Sequence, residues 1–251
     1  MKRVITRAVP ASLAQCELTH LKRQRIDVDV ARRQHGAYED ALRRLGYEIF
    51  TQPPLDDFPD SVFVEDTALV LDEIAVITRM GAASRQGETD YTAKALADYR
   101  ELVFVEAPAT LEGGDVLRIG HRIFVGVGGR TNQAGVTQLA DLIGRFGYTV
   151  QPIEVNGALH LKSAVTCIAP DTVLANPEWI DTSRLGARVL SVARREPGAA
   201  NVLATTEALL VSDSYPDTRA MLERRGFPTE TLTVTELHKA EAGLTCMSLL
   251  L

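Results

Sequence analysis

Along the chain, stretches in which apolar residues return every three or four positions give way repeatedly to short runs of alternating or continuous apolar character. One amphipathic stretch runs into Arg44-Leu45-Gly46-Tyr47 and is followed by the β-like Glu48-Ile49-Phe50. The same junction returns as Arg145-Phe146-Gly147-Tyr148 before Thr149-Val150, and as Arg184-Leu185-Gly186-Ala187 before Arg188-Val189-Leu190. It returns again as Arg225-Gly226-Phe227 before a Thr-rich run. An arginine in the last turn complements the negative end of a helix, and glycine supplies the left-handed conformation that closes it, so each junction reads as a helix stop and a strand start. A weaker fifth copy, lacking the glycine, is Tyr99-Arg100-Glu101-Leu102 before Val103-Phe104-Val105.

The pattern predicts helices near 28–45, 88–100, 131–146, 177–185 and 216–225. Between them lie paired short strands, such as Ala68–Leu71 with Ile74–Thr78 around Asp72-Glu73, and Val116–Ile119 with Ile123–Val127 around Gly120-His121-Arg122. Units that recur about every 40 to 55 residues fall in the range of repeat architectures. One helix per cluster of short strands, five times over, predicts a closed ring of α/β units forming a single domain over residues 1–251. The competing reading is an ordinary α/β sheet whose glycine caps coincide by chance.

An apolar content of 45% over 251 residues is enough to bury a substantial core. The formal charge of −6 argues against a nucleic-acid partner and suits a cationic ligand. Three cysteines, Cys16, Cys167 and Cys246, are an odd number in a chain that shows no signal peptide. A disulfide framework is therefore not expected, and a reducing compartment, the cytoplasm, is. No apolar run approaches the roughly 20 residues of a membrane-spanning helix.

Four motifs carry candidate chemistry. Phe58-Pro59-Asp60-Ser61-Val62-Phe63-Val64-Glu65-Asp66 sets two adjacent carboxylates after a third, an arrangement that a guanidinium would relieve by bidentate hydrogen bonding and that an exposed acidic turn would also produce. Thr110-Leu111-Glu112-Gly113-Gly114-Asp115 puts a glycine pair between two acids, either a plain turn or a place where the backbone approaches another group closely. Leu159-His160-Leu161 reads as a strand with the imidazole opposite its apolar neighbours, and a lone strand histidine is commonly structural. Leu244-Thr245-Cys246-Met247-Ser248-Leu249 is a β-like run carrying a thiol, which alone favours an inert core cysteine. Metal-ligand spacing is missing, so no zinc site is expected. Together, however, a thiol, an imidazole and several acids are what attack on a guanidinium carbon requires.

These residues resemble the dimethylarginine dimethylaminohydrolases, of the guanidine-modifying (pentein) superfamily that also holds deiminases and amidinotransferases. The ordered matches cover nearly the whole chain. They run from Thr19-His20-Leu21 and Arg33-Gln34-His35-Gly36-Ala37-Tyr38 through Asp60–Asp66, Ile77-Thr78-Arg79 and Ser84-Arg85-Gln86-Gly87-Glu88. They continue with Leu111–Asp115, Arg130-Thr131-Asn132, Leu159–Ser163, Ala199-Ala200-Asn201 and Thr245-Cys246.

The resemblance implies a five-bladed, pseudo-fivefold α/β propeller. It implies conversion of Nω,Nω-dimethyl-L-arginine, and of the monomethyl compound, to citrulline and an alkylamine through a cysteine-bound intermediate, without a cofactor. By the same resemblance Cys246 is the nucleophile, His160 the acid/base, and Glu112 the carboxylate that contacts the guanidinium and orients His160. Asp66 is the second guanidinium ligand, with Glu65 beside it on the substrate. Asp60 and the backbone carbonyl of Leu18, on a mobile N-terminal lid, take the α-amino group together with backbone around Ala240, and Arg85 and Arg130 take the α-carboxylate. Where the family usually has Asp-Gly ahead of the nucleophile, this chain reads Glu241-Ala242. The partner implied is a small methylated arginine, with neither nucleic acid nor membrane, and a homodimer is left open. Cys16 is expected to be exposed beside the lid, and Cys167 to be core.

Two rivals stay in view. A deiminase acting on plain arginine would use the same residue types, and a non-catalytic binder of cationic amino acids would need the acids and arginines but neither Cys246 nor His160.

Overall fold

The computed structural model describes residues 2–251. Strand β1 (Lys2–Arg7) is followed by helix α1 (Val28–Arg44) and strand β2 (Tyr47–Gln52), which lies parallel to β1 in the register Lys2↔Tyr47 to Arg7↔Gln52. Every later unit repeats this parallel crossover, through a helix in all but the fourth, and adds a strand ahead of it, antiparallel to the middle one. The second unit is β3 (Ala68–Val70), β4 (Ile74–Ile77), α2 (Glu88–Leu96) and β5 (Glu101–Phe104). The third is β6 (Val116–Ile119), β7 (Arg122–Val127), α3 (Gln133–Ile143) and β8 (Thr149–Glu154).

The fourth unit opens with the short helix α4 (Leu161–Ala164), then β9 (Val165–Ala169), β10 (Thr172–Ala175) and β11 (Arg188–Ser191). The fifth is β12 (Leu203–Ala204), β13 (Leu209–Ser212), α5 (Pro216–Arg224) and β14 (Thr229–Leu232), with α6 (Thr235–His238) after it. Strand β15 (Leu249–Leu250) then pairs antiparallel with β1 and completes the first unit. Among the described residues the result is five three-stranded sheets.

Why the repeats close into a ring follows from where the apolar residues go. Five apolar clusters lie between successive sheets: Ile123, Val125 and α3 pack against Ile74 and Val76 of the preceding unit, and Phe124 and Ile119 against Val165 and Val173 of the next. The last contact of the series puts Leu210 and Leu232 of the fifth unit against Val4 and Tyr38 of the first. No sheet can bury its faces alone, so each is stabilised by its neighbours and the series ends only by closing. The fold is therefore the pseudo-fivefold α/β propeller.

The helix-stop glycines behave as the sequence predicts. Gly46, Gly147, Gly186 and Gly226 have φ of +84°, +82°, +54° and +85°, the left-handed region that an L side chain occupies only with strain. Helix α1 begins with the Asp27 carboxylate accepting the Val30 N–H. It buries Ala31, His35, Tyr38 and Leu42 on one face. The segment 177–185 departs from the expectation: only a single 3-10 turn, Thr182–Leu185, forms there. Asn176 accepts the Glu178 N–H through its side chain and turns the chain just where a helix would begin, and Asp181 caps the short turn through Ser183. Among the described residues no helix is long and apolar enough to cross a membrane.

The first strands of the units adjoin one another about the axis of the ring, as β6 does β9, β9 does β12, and β15 does β3. Each is entered through a short helical turn. These turns are Val64–Thr67, Gly113–Asp115, α4, Pro197–Ala200 and Thr245–Met247. One point in the architecture, repeated around the axis, thus gathers five different pieces of sequence.

Candidate active site

The five turns carry the candidate chemistry. Asp66 comes from the first, Glu112 from the residue just before the second, His160 from the N-terminal cap of α4, Asn201 from the residue after the fourth, and Cys246 from the last. His160 therefore caps a helix and does not lie on a strand, and Cys246 sits in a 3-10 turn, not in the β-like run that its apolar neighbours suggest. Asp60, Asp66, Arg85, Arg130, His160, Ala240 and Cys246 all border one small, narrow cleft.

His160 Nε2 lies 2.7 Å from Glu112 Oε2, and its Nδ1 lies 3.8 Å from Asp66 Oδ1. Glu112 is wholly buried; its other oxygen accepts the N–H groups of Gly81 and Ala82 at 3.0 and 3.3 Å and faces Arg130 at 3.7 Å. The glycine pair after it is explained by close approach. A side chain at Gly113 would run into the carbonyl oxygen of Glu65, and one at Gly114 would meet Asp66 Oδ1 and His160 Nδ1. With no side chain there, the Gly114 N–H reaches Asp66 Oδ1 at 3.1 Å.

Burial alone would push the His160 imidazole toward its neutral form, but the carboxylates of Asp66, Asp115 and Glu112 outweigh it and raise its pKa to about 9. His160 is thus an imidazolium at neutral pH. Cys246 moves in the unreactive direction: burial, reinforced by the charges of Glu65 and Asp66, raises the thiol well above its usual range, against a hydrogen bond from the Gly243 N–H at 3.3 Å and the charge of Lys162. Asp66, although buried, is held below the ordinary carboxylate range by His160 and Arg85.

The structure redistributes several expected roles. Arg85 borders the cleft, yet its guanidinium is engaged by Asp66 at 2.7 Å, Glu88 at 2.8 Å and the carbonyl of Phe63 at 3.1 Å. Arg130 is the less encumbered of the two arginines. Glu65 is a correction: its carboxylate turns away from the cleft to accept Lys162 Nζ at 2.7 Å and Thr245 Oγ1 at 2.6 Å, and it borders a separate cavity on the other side. Adjacent residues on a tight turn point in different directions, so the Glu65 and Asp66 carboxylates face different cavities.

On the lid segment Glu17 borders the cleft, while Leu18 packs against the apolar cluster of the first unit. Asp60 Oδ2 accepts the Glu17 N–H at 3.0 Å and so ties this segment down. The departure at 241–242 has a structural counterpart. Glu241 stands at φ +59°, and its carboxylate accepts the N–H groups of Thr19 at 3.0 Å, His20 at 2.6 Å and Leu21. Cys16 is fully buried, where exposure was expected, and Cys167 is only half-buried, with its thiol on the Ala169 carbonyl.

Asn201 is a residue that sequence reasoning passed over. It accepts the Thr245 N–H and donates to the Lys162 carbonyl, each at 3.1 Å, and so staples the Cys246 turn to the His160 helix. Its appearance in a quoted motif was the only signal. Ligand atoms of Asp66, Glu112 and His160 lie within 4.8 Å of one another, a spacing that suits a cation of any kind.

Residues 13–196 match a family model described as N,N dimethylarginine dimethylhydrolase, eukaryotic. The N(G),N(G)-dimethylarginine dimethylaminohydrolase of Streptomyces coelicolor is 41% identical over 98% of this chain and 96% of its own length. The enzyme of that name from Pseudomonas aeruginosa is 32% identical over 99% of this chain and 98% of its own. A solved structure of the Pseudomonas aeruginosa protein, a cysteine-to-serine mutant complexed with citrulline, superposes with a TM-score of 0.95 at 30% identity over 100% of this chain and 99% of that one. The chain belongs to the dimethylarginine dimethylaminohydrolase family.

Proposed function

We propose that this protein hydrolyses Nω-methylated L-arginines, the asymmetric dimethyl compound and the monomethyl one, to citrulline and the corresponding alkylamine. The observation that carries the reading is the Cys246 thiol, the His160 imidazolium and the Asp66 carboxylate bordering one small cleft with Arg85 and Arg130, and Glu112 buried behind the imidazole. The names of the Streptomyces and Pseudomonas relatives and the citrulline complex point the same way.

In this reading the guanidinium lies against Asp66 and Glu112, and its charge offsets the acidic field that keeps Cys246 protonated. The thiol then loses its proton to solvent. The thiolate attacks the guanidino carbon, an S–C bond forms and the C=N electron pair moves onto nitrogen. His160, already an imidazolium, gives its proton to the methylated nitrogen as the C–N bond breaks and dimethylamine leaves. The same cation that activates the thiol repels the imidazolium proton and makes it a stronger acid. Neutral His160 next takes a proton from water, which adds to the carbon of the amidino-thioether, and the S–C bond breaks to release citrulline and the thiolate.

Asp60 and the backbone around Leu18 and Ala240 hold the α-amino group, and Arg130, with Arg85 behind it, holds the α-carboxylate. Because every unit of the ring contributes to the site, the reading takes residues 1–251 as one catalytic domain. Three free cysteines fit a reducing compartment, the cytoplasm.

The test is release of citrulline and dimethylamine from asymmetric dimethylarginine, beside arginine, agmatine and symmetric dimethylarginine, for wild type and Cys246→Ser. Turnover confined to asymmetrically methylated arginines and abolished in the variant is expected. Preference for plain arginine means a deiminase, and binding without turnover in wild type means a carrier. Acid-quenched enzyme examined by mass spectrometry should carry an adduct on Cys246.

A further inference from the structure

Asp115 is buried beside the catalytic pair, off the cleft that Cys246 borders and at the edge of a neighbouring cavity, and the mechanism above gives it no part. Its two oxygens have different tasks. Oδ1 accepts the Leu161 N–H at 3.1 Å, which is the backbone of the residue that follows His160. Oδ2 accepts the Thr131 hydroxyl at 2.7 Å. The same hydroxyl oxygen accepts the Glu112 N–H at 3.1 Å. One carboxylate and one hydroxyl thereby hold the backbones on both sides of the 2.7 Å His160–Glu112 contact.

The direction of these bonds matters. Thr131 has a single proton, and an acceptor-only partner is needed to draw it away from the Glu112 N–H, so that the lone pair faces that N–H. A carboxylate accepts from Thr131 and from the Leu161 N–H at once, whereas a carboxamide can accept at only one of its two ends. The pocket is built to hold it: Gly126 on β7 has no side chain, and one there would meet both Asp115 Oδ1 and Leu161. Thr131 is fully buried, so water does not reach its hydroxyl to replace a lost bond there. Burial raises Asp115 to about 6, against the pull of His160, Thr131 and Leu161, which leaves it ionised at neutral pH.

We infer that Asp115, acting through Thr131, is a positioning residue that sets the geometry of the His160–Glu112 pair for proton transfer. This rests on the assignment of His160 and Glu112 as that pair. Neither residue reaches the substrate, so their loss should slow chemistry while binding persists.

The experiment compares Thr131→Val, Thr131→Ser and Asp115→Asn with wild type, measuring kcat and KM for citrulline release and, in a Cys246→Ser background, the Kd of asymmetric dimethylarginine by calorimetry. Thr131→Val is nearly isosteric, and the valine–serine pair decides the matter even where Asp115→Asn fails to fold. Expected are a fall in kcat of at least about thirtyfold for Thr131→Val with Kd within about threefold of the parent, and recovery to within about threefold of wild-type kcat for Thr131→Ser. Unchanged kcat in Thr131→Val, a matching loss of Kd, or a serine variant as slow as the valine one each overturns the inference. Failure of the functional reading is distinct, since wild type itself would then release no citrulline from asymmetric dimethylarginine.

Discussion

Glu112→Gln keeps the size and the acceptor that binds the Gly81 and Ala82 N–H groups, and replaces the charged acceptor 2.7 Å from His160 Nε2 by a neutral NH2 donor, which favours the neutral imidazole. Two unit charges about 4 Å apart interact by ~4 kcal/mol at the effective dielectric of ~20 that suits protein sites, and each pH unit corresponds to ~1.4 kcal/mol. Losing this partner should therefore bring the imidazole down from about 9 to roughly 6–7, with Asp66 and Asp115 still holding it up. At pH 8 only about 1–10% of His160 would then carry its proton, so kcat should fall by one to two powers of ten.

The direct assay is an NMR titration of the His160 ring in ligand-free protein, assigned with a His160 variant. A linked effect on stability has a definite sign. The folded pKa lies above the unfolded value of 6.5, so the stabilisation, about 3 kcal/mol, is fully present below pH ~6.5 and is lost as pH rises through ~9. In Glu112→Gln that loss should largely disappear, and its unfolding free energy should approach that of wild type across this window. A variant in which His160 still titrates within half a pH unit of wild type refutes the assignment of Glu112 as a main source of the shift.

Cys246, raised by burial and by Glu65 and Asp66, should be alkylated by iodoacetamide at pH 7 at least about tenfold more slowly than free cysteine, as read by peptide mass spectrometry; an equal rate means the acidic field does not protect it. Gly113→Ala should push the turn off the Glu65 carbonyl, lowering Tm by roughly 5 °C and losing activity with it; an unchanged melting curve contradicts the close packing. Glu241→Ala removes the acceptor for Thr19, His20 and Leu21. If that releases about 1.5 kcal/mol of lid closure, KM rises roughly tenfold with kcat little altered and proteolysis near residues 17–25 quickens; unchanged KM and cleavage rates would sink this role.

The half of each repeat that makes the scaffold was legible, because physics asks the same thing of it every time. A helix end wants a glycine at positive φ, and Gly46, Gly147, Gly186 and Gly226 announce their units. The other half, the turn into each first strand, was hard to read. Those turns share a position but must differ in side chain, since one carries Asp66, another His160, another Cys246.

Which way a side chain leaves a tight turn is not written in local sequence, so Glu65 and Asp66 looked like a pair although they face different cavities. Asn201, Asp115 and Thr131 escaped for another reason: their importance lies in backbone groups far away in sequence, which no spacing rule records. Resemblance to a family supplied the roles that periodicity did not, and it too was silent on how Glu241 binds the lid.

Ring closure and catalytic competence are one event in this protein. Strand β15, whose pairing with β1 completes the first unit, begins only three residues after Cys246. Until that strand docks, the Cys246 thiol has no address: its turn is held by β15 on one side and by Asn201 on the other. A chain with four units assembled and the seam open carries His160, Glu112 and Asp66 but has its thiol elsewhere. Turnover is therefore a molecular receipt for a finished circle, and single-turnover activity during refolding should clock the closing of the seam itself.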